Sequence, residues 1–321
     1  MARRAFLGIS HTPLLGLNPV SESQQDALQG ALAAARAQVE RFDPELVVLA
    51  APDHYNGFFN ELMPPFCIGT AATSVGDYLT PPGPLNVDER TALSLCDGLM
   101  DAGFDVAVSR RMQVDHGFAQ PLELMWGSLA TPPVVPVFLN AVAAPVVPRL
   151  GRCLDLGTQI GQLLRDDPRR ILFLGSGGLS HEPPVPTLEH PDPAVRERIM
   201  TRQSPTQTER DAKTQRVMAA GMALAAGDPS MKNLNPAWDA RWMDLLAGPR
   251  EQLEQVRRIS EESITREAGV SAHESKSWLI ARGALGGQAA PKCTFRHYQA
   301  ISEYIAGFGL LFLQDTTPDH A

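Results

Sequence analysis

Three short runs, Leu46–Ala51, Val134–Leu139 and Ile171–Leu174, are apolar at every position, and they constrain the fold more than any other feature of the chain. A strand with one wet face alternates apolar and polar residues. A strand apolar throughout is buried on both faces, as in a mostly parallel sheet covered by helices. Helical patterns lie between these runs. Gln24–Phe42 sets Leu28, Leu32, Ala35, Val39 and Phe42 at three- and four-residue spacing. Asp88–Ala102 stops at Gly103, a residue suited to a helix C-terminus, and Leu150–Leu164 reads as another helix. Ala5–Ile9 and Val106–Val108 read as further short strands. The alternation predicts an α/β sandwich around a mostly buried central sheet.

From about Asp192 to Leu285 the pattern turns mainly helical, most clearly over Thr208–Ala226 and Ser275–Leu285. Pro183, Pro184 and Pro186 make a rigid loop between the halves rather than a flexible linker. With 321 residues, 44% of them hydrophobic, the chain can bury a large core. The expectation is a single domain, 1–321, with a helical C-terminal elaboration on the sandwich.

Several function classes are disfavoured at this point. The formal net charge is −8 and no basic run occurs, so a nucleic-acid partner is not expected. No apolar run is long enough to span a bilayer, so a membrane partner is not expected either. The apolar stretch after Met-Ala-Arg-Arg is short and is interrupted by His11 and Pro13, unlike a signal peptide. The four cysteines are scattered without a CxxC pair, which fits isolated thiols and a cytoplasmic location.

Of the eight histidines, four fall at the ends of strands or in the loops after them. His11 follows the first strand, His54 follows Leu46–Ala51 in Pro52-Asp53-His54, His116 follows Asp115, and His181 follows the cluster Gly175-Ser176-Gly177-Gly178. Loops at the carboxyl ends of strands are where α/β sheets bind ligands. A lone loop histidine is as readily structural as functional; four in one setting carry weight together. His190, His297 and His320, the last in an expected frayed tail, lack this setting. Two imidazoles and one carboxylate on one face suit non-haem Fe(II), because they leave positions open for substrate and O2. His11 and His54 are the candidate imidazoles. Spacing leaves the carboxylate open among 36 acidic residues, and zinc hydrolysis stands as an alternative. The glycine cluster matches a dinucleotide fingerprint weakly, since Ser180 occupies the third glycine position; a tight turn aiming His181 inward is the simpler account.

Longer stretches add a resemblance. Pro44–Leu49, Ala51–Phe59, Met63–Cys67, Met112–Glu123, Leu172–His181, Leu234–Pro236, His273–Glu274 and Ile305–Gly309 together resemble the class III extradiol dioxygenases over nearly the whole chain. The resemblance implies an Fe(II)-dependent enzyme that opens a catechol ring beside its two hydroxyls with O2, and a homo-oligomer. It implies His11, His54 and Glu274 as the iron ligands, His181 as the catalytic base and His116 as the proton donor. His273 is assigned no such part; a structural role fits it better. The match is strongest to members that cleave 3-(2,3-dihydroxyphenyl)propionate, which yields 2-hydroxy-6-oxonona-2,4-dienedioate, and 2,3-dihydroxycinnamate is expected beside it. Another catechol or an aminophenol is the runner-up substrate. A metal-dependent hydrolase or a non-catalytic binding protein on the same fold is a more distant alternative. Arg296–Ala300 and Gly286–Cys293 depart from the family pattern, which bears on substrate preference rather than on the metal site.

Overall fold

The computed structural model describes residues 3–202 and 206–315; His320 lies outside them. Its strands are β1 (Arg4–Ile9), β2 (Leu46–Ala51), β3 (Phe66–Gly69), β4 (Ala72–Ser74), β5 (Gly83–Pro84), β6 (Ala107–Ser109), β7 (Met112–Val114), β8 (Val134–Leu139), β9 (Ile171–Ser176), β10 (Lys292–Ile301) and β11 (Ala306–Gln314). Its helices are α1 (Glu22–Phe42), α2 (Glu89–Asp101), α3 (His116–Trp126), α4 (Leu150–Leu163), α5 (Pro193–Met200), α6 (Gln207–Ala225), α7 (Pro236–Ala247), α8 (Arg250–Leu253), α9 (Glu261–Ala268) and α10 (Lys276–Leu285). Eight strands form one sheet in the order β10-β11-β1-β9-β2-β8-β3-β6, and β5-β4-β7 form a small second sheet.

The apolar runs are strands for the reason the pattern gives. β2, β8 and β9 are buried at every residue and, with β1, form the parallel centre of the sheet. Successive residues of β1 face opposite cores: Phe6 joins the side covered by α2, α4 and α10, while Ala5 and Leu7 join the side covered by α1 and α3. α1 begins at Glu22, two residues before the expected start, because Ser21 and Gln24 form a reciprocal capping box.

Two features differ from expectation. The segment between β2 and α3 holds five strands of two to four residues, too short for a period to show, and only β6 corresponds to an expected strand, Val106–Val108. After the helical region the chain also returns to the sheet: β11 pairs antiparallel with β1, and β10 with β11. Gly307 and Gly309 break the apolar run of β11. β10 is an edge strand with much of its length exposed, so it lacks the signature of a strand buried on both faces. Among the described residues, no helix is long and apolar enough to cross a membrane.

Candidate active site

β1, β9 and β2 are neighbours and parallel, so their carboxyl ends lie side by side. His11, His181 and His54 leave from those three ends and therefore meet, as the topology of an α/β sheet dictates. Glu274 reaches them from the far end of the sequence. It sits in a 3-10 turn, Val270–Ser275, that leads into α10. The first turn of α10 lies against the end of β9: Ser277 Oγ donates to the Ser176 carbonyl at 2.6 Å and Trp278 Nε1 to the Gly177 carbonyl at 3.0 Å. A Cβ on Gly177 would come within 2.5 Å of the Glu274 carbonyl oxygen, so only glycine lets the glutamate this close. Gly178 is needed for a similar reason, since its Cβ would meet the His181 ring at 2.5 Å. The expectation of a glycine turn that aims His181 inward thus holds by close approach rather than by left-handed backbone.

The Glu274 carboxylate is buried and three imidazoles point at it. His11 Nε2 lies 3.2 Å from Oε2, His54 Nε2 3.1 Å from Oε1, and His181 Nε2 3.2 Å from Oε1. Each ring is held from behind through Nδ1. His54 Nδ1 donates to Asp115 Oδ2 at 3.0 Å, and His181 Nδ1 to the Leu179 carbonyl at 2.9 Å. Behind His11 stands Ser176 Oγ at 2.9 Å. The Ser176 hydroxyl gives its own hydrogen to the Gly117 carbonyl at 2.6 Å, so at His11 it accepts from Nδ1–H. The Gly117 carbonyl has need of it, because Pro121, four residues on in α3, has no N–H to offer.

This arrangement leaves the His11 Nε2 lone pair facing a carboxylate oxygen, acceptor against acceptor. That nitrogen is buried and has no hydrogen-bond partner among the described residues. Burial, ahead of the opposing pull of Glu274, lowers the His11 pKa to about 4 and keeps the ring neutral. Burial alone would lower His54 also, but Asp115 and Glu274 on either side raise it well above its ordinary value. The field that holds a proton there is the field that attracts a cation. Burial would raise Glu274, yet His181 and His54 hold it well below the ordinary carboxylate range. Neutral or deprotonatable nitrogens converging on an ionised carboxylate, each fixed by a partner behind it, are what a divalent transition metal requires. Ligand atoms sharing one such ion at bonds of about 2.1 Å stand roughly 3–4 Å apart, the spacing found here.

His116 completes the group. It is the first residue of α3, and its ring stacks on His54 at 4.6 Å and meets His11 edge-on at 5.3 Å. One nitrogen from each of His11, His54 and His116 can be chosen within 4.8 Å of one another, so the cluster is a possible metal site on that count as well. Asp115, the residue before His116, does not back its ring. The Asp115 Oδ1 caps α3 through Gly117 N–H, and its Oδ2 accepts from His54 N–H and Nδ1–H and from Asn56 Nδ2. The residue behind His116 is Asp77, whose Oδ2 accepts Nδ1–H and whose Oδ1 accepts the backbone N–H, both at 2.7 Å. Next to it Tyr78, at φ 45°, turns its ring edge-on to His116 at 5.1 Å. Asp77, Tyr78 and Ser176 were not singled out from sequence, and no local pattern marks them.

His273 and His297 stay away from the group. His273 is buried with Nε2 3.0 Å from Thr265 Oγ1, in keeping with a structural role. His297 lies on β10, and His190 accepts from Asp192 N–H in an exposed loop.

Comparison with known proteins fits this geometry. Residues 5–309 match the family described as the catalytic LigB subunit of aromatic ring-opening dioxygenase. The chain is 60% identical over 313 residues, 97% of each chain, to a protein of Comamonas testosteroni named 2,3-dihydroxyphenylpropionate/2,3-dihydroxicinnamic acid 1,2-dioxygenase. A Rhodococcus protein of the same name is 45% identical over 306 residues, 95% of this chain and 96% of the relative. An uncharacterized protein of Escherichia coli K12 shares the fold, with a TM-score of 0.51 at 16% identity over 97% of this chain and 99% of that one. The chain belongs to the LigB family of catalytic subunits of aromatic ring-opening dioxygenases, and it is a metal-dependent extradiol ring-cleaving enzyme.

Proposed function

We propose that this protein, a single domain over residues 1–321, binds Fe(II) through His11, His54 and Glu274 and opens 3-(2,3-dihydroxyphenyl)propionate with O2. 2,3-Dihydroxycinnamate is the second substrate, and 2-hydroxy-6-oxonona-2,4-dienedioate is the product of the first. The observation that carries the reading is the convergence of His11 and His54 Nε2 on the Glu274 carboxylate at 3.1–3.2 Å, with the His11 nitrogen otherwise unpartnered. The names of the relatives bring in the substrate. Bound Fe(II) would supply chelation of the diol and O2 and a path for electrons between them, with no external reductant.

The chain's own residues manage the protons. His181 takes one from a catechol hydroxyl at Nε2; its Nδ1–H bond to the Leu179 carbonyl fixes the lone pair on that nitrogen. His116 returns a proton during ring opening, with the Asp77 carboxylate behind its Nδ1 to orient the ring and steady its charge. A cytoplasmic homo-oligomer is the expected working form.

The test is anaerobic reconstitution with Fe(II) or Zn(II), followed by oxygen uptake and product absorbance on a panel of substituted catechols and an aminophenol. The reading expects uptake with Fe(II) alone and the highest kcat/KM on 3-(2,3-dihydroxyphenyl)propionate. Higher kcat/KM on plain catechol or an aminophenol overturns the substrate. Absence of uptake with Fe(II) overturns the metal.

A further inference from the structure

One fully buried carboxylate near the site has no part in the scheme above. Asp239, in α7, has no exposed surface. Its Oδ1 accepts Ser180 N–H at 2.7 Å; its Oδ2 accepts the Ser180 hydroxyl and the Tyr298 hydroxyl, each at 2.6 Å. No Lys or Arg makes an ion pair with it among the described residues. A carboxylate buried without a cation is costly unless its hydrogen bonds are strong and complete, and here all three are donated to it by one residue and one neighbour.

That one residue is Ser180, which immediately precedes His181. The remaining polar atoms of Ser180 are also engaged: Oγ accepts Asn235 N–H at 2.8 Å and the carbonyl accepts Gly307 N–H at 3.0 Å. His181 N–H in turn donates to the Ala268 carbonyl at 2.9 Å. The backbone that carries the base is therefore fixed from α7, β10, β11 and α9 at once. Tyr298 belongs to Arg296–Ala300, the segment that departs from the family pattern, and its hydroxyl ties that edge strand to the same carboxylate.

We propose that Asp239 is a positioning residue for His181, acting through Ser180, and that the Tyr298 hydroxyl completes it. The proposal rests on His181 as the base. A base must stand within hydrogen-bond reach of the proton it takes, and a displacement of about 1 Å can lower turnover on the order of a hundredfold.

The experiment uses the full chain loaded with Fe(II), with 3-(2,3-dihydroxyphenyl)propionate and O2. Asp239→Ala should lower kcat roughly 10- to 100-fold while iron content and KM stay near those of the parent. Tyr298→Phe, which removes one donor at a partly exposed strand, should lower kcat less, by about three- to tenfold. In a His181→Phe background neither substitution should lower kcat further, since residues acting as a unit are not additive. Losses that multiply in that background overturn the proposal and leave the base assignment intact. Parent-like turnover in His181→Phe alone overturns the base assignment and the proposal with it. If Asp239→Ala does not fold, Tyr298→Phe decides: parent-like kcat, or lost iron with kcat per iron unchanged, overturns the proposal.

Discussion

The Ser176 hydroxyl backs the His11 ring and also fills a gap that Pro121 leaves in α3, so Ser176→Ala should produce two separable effects. The Gly117 carbonyl loses its 2.6 Å donor whether or not metal is bound. A buried polar group left unpaired costs about 1–3 kcal/mol, so the melting temperature should fall in apo and loaded protein alike. The His11 effect is conditional. Without metal, His11 can move its proton to Nε2, 3.2 Å from Glu274 Oε2, and recover a partner. With metal, Nε2 must offer its lone pair, and Nδ1–H is left facing the space that the hydroxyl filled. That cost falls on the loaded state and weakens metal binding. One orphaned donor at about 1–3 kcal/mol corresponds to roughly 5- to 150-fold in affinity, and loss of the partner behind a ligating histidine typically costs about 10- to 100-fold. Competition for Fe(II) against a chromophoric chelator under anaerobic conditions measures it, with kcat at saturating iron expected within about threefold of the parent. Unchanged affinity alongside the lower melting temperature would mean that Ser176 serves only the helix, and the ligand assignment of His11 would lose its support.

Further outcomes follow from the same geometry. His54→Ala should lose both iron and activity, and full iron occupancy in that variant would refute its assignment as a ligand; in the parent, a strong chelator should abolish activity and Fe(II) with ascorbate restore it. His116→Gln should keep its iron and lose about two to four orders of magnitude in kcat, with Asp77→Asn intermediate; single-turnover ring opening at full iron measures both, and parent-like rates would remove His116 from the chemistry. Burial, reinforced by the positive charges of Lys276 and Arg149, lowers the His273 pKa to about 3 from an ordinary 6.5. Between those values the unfolded chain binds a proton that the folded one refuses, so stability falls as pH drops through that window, by up to about 1.4 kcal/mol per pH unit. His273→Gln should flatten melting temperature against pH there, and an unchanged slope would assign the acid sensitivity to other groups.

The centre of the fold was legible because burial on both faces writes itself into every residue of β2, β8 and β9. α1, α2, α4, α6 and α10 were legible to within about two residues; α1, α2 and α4 each carry one apolar face, and α10, buried throughout, stops at Gly286. Several other strands were hidden for physical reasons. β4, β5 and β7 span two or three residues each, less than two repeats of a strand's period. β10 turns much of its length to solvent and carries Lys292 and Arg296, so its pairing with β11 leaves no apolar run to read.

The site was legible in proportion to how local each contact is. The setting of His181 could be read directly, because its Nδ1 partner is two residues away and the Gly178 that its ring lies against is three. The other rings depend on groups that sequence spacing cannot link to them. His11 leans on Ser176, His54 on Asp115 and His116 on Asp77, at separations of 165, 61 and 39 residues. Adjacency would pair Asp115 with His116, but a reason general to helix starts prevents it. Asp115 is the N-cap of α3 and must turn its carboxylate back over the first turn to reach Gly117 N–H. His116, the first helical residue, projects its side chain elsewhere. The capping geometry frees Oδ2 to cross to the His54 loop, and the His116 ring is left to Asp77. A residue that caps a helix is thus committed to the backbone before it can serve its neighbour. The carboxylate behind a histidine at a helix start is therefore better sought on another loop than at the adjacent position.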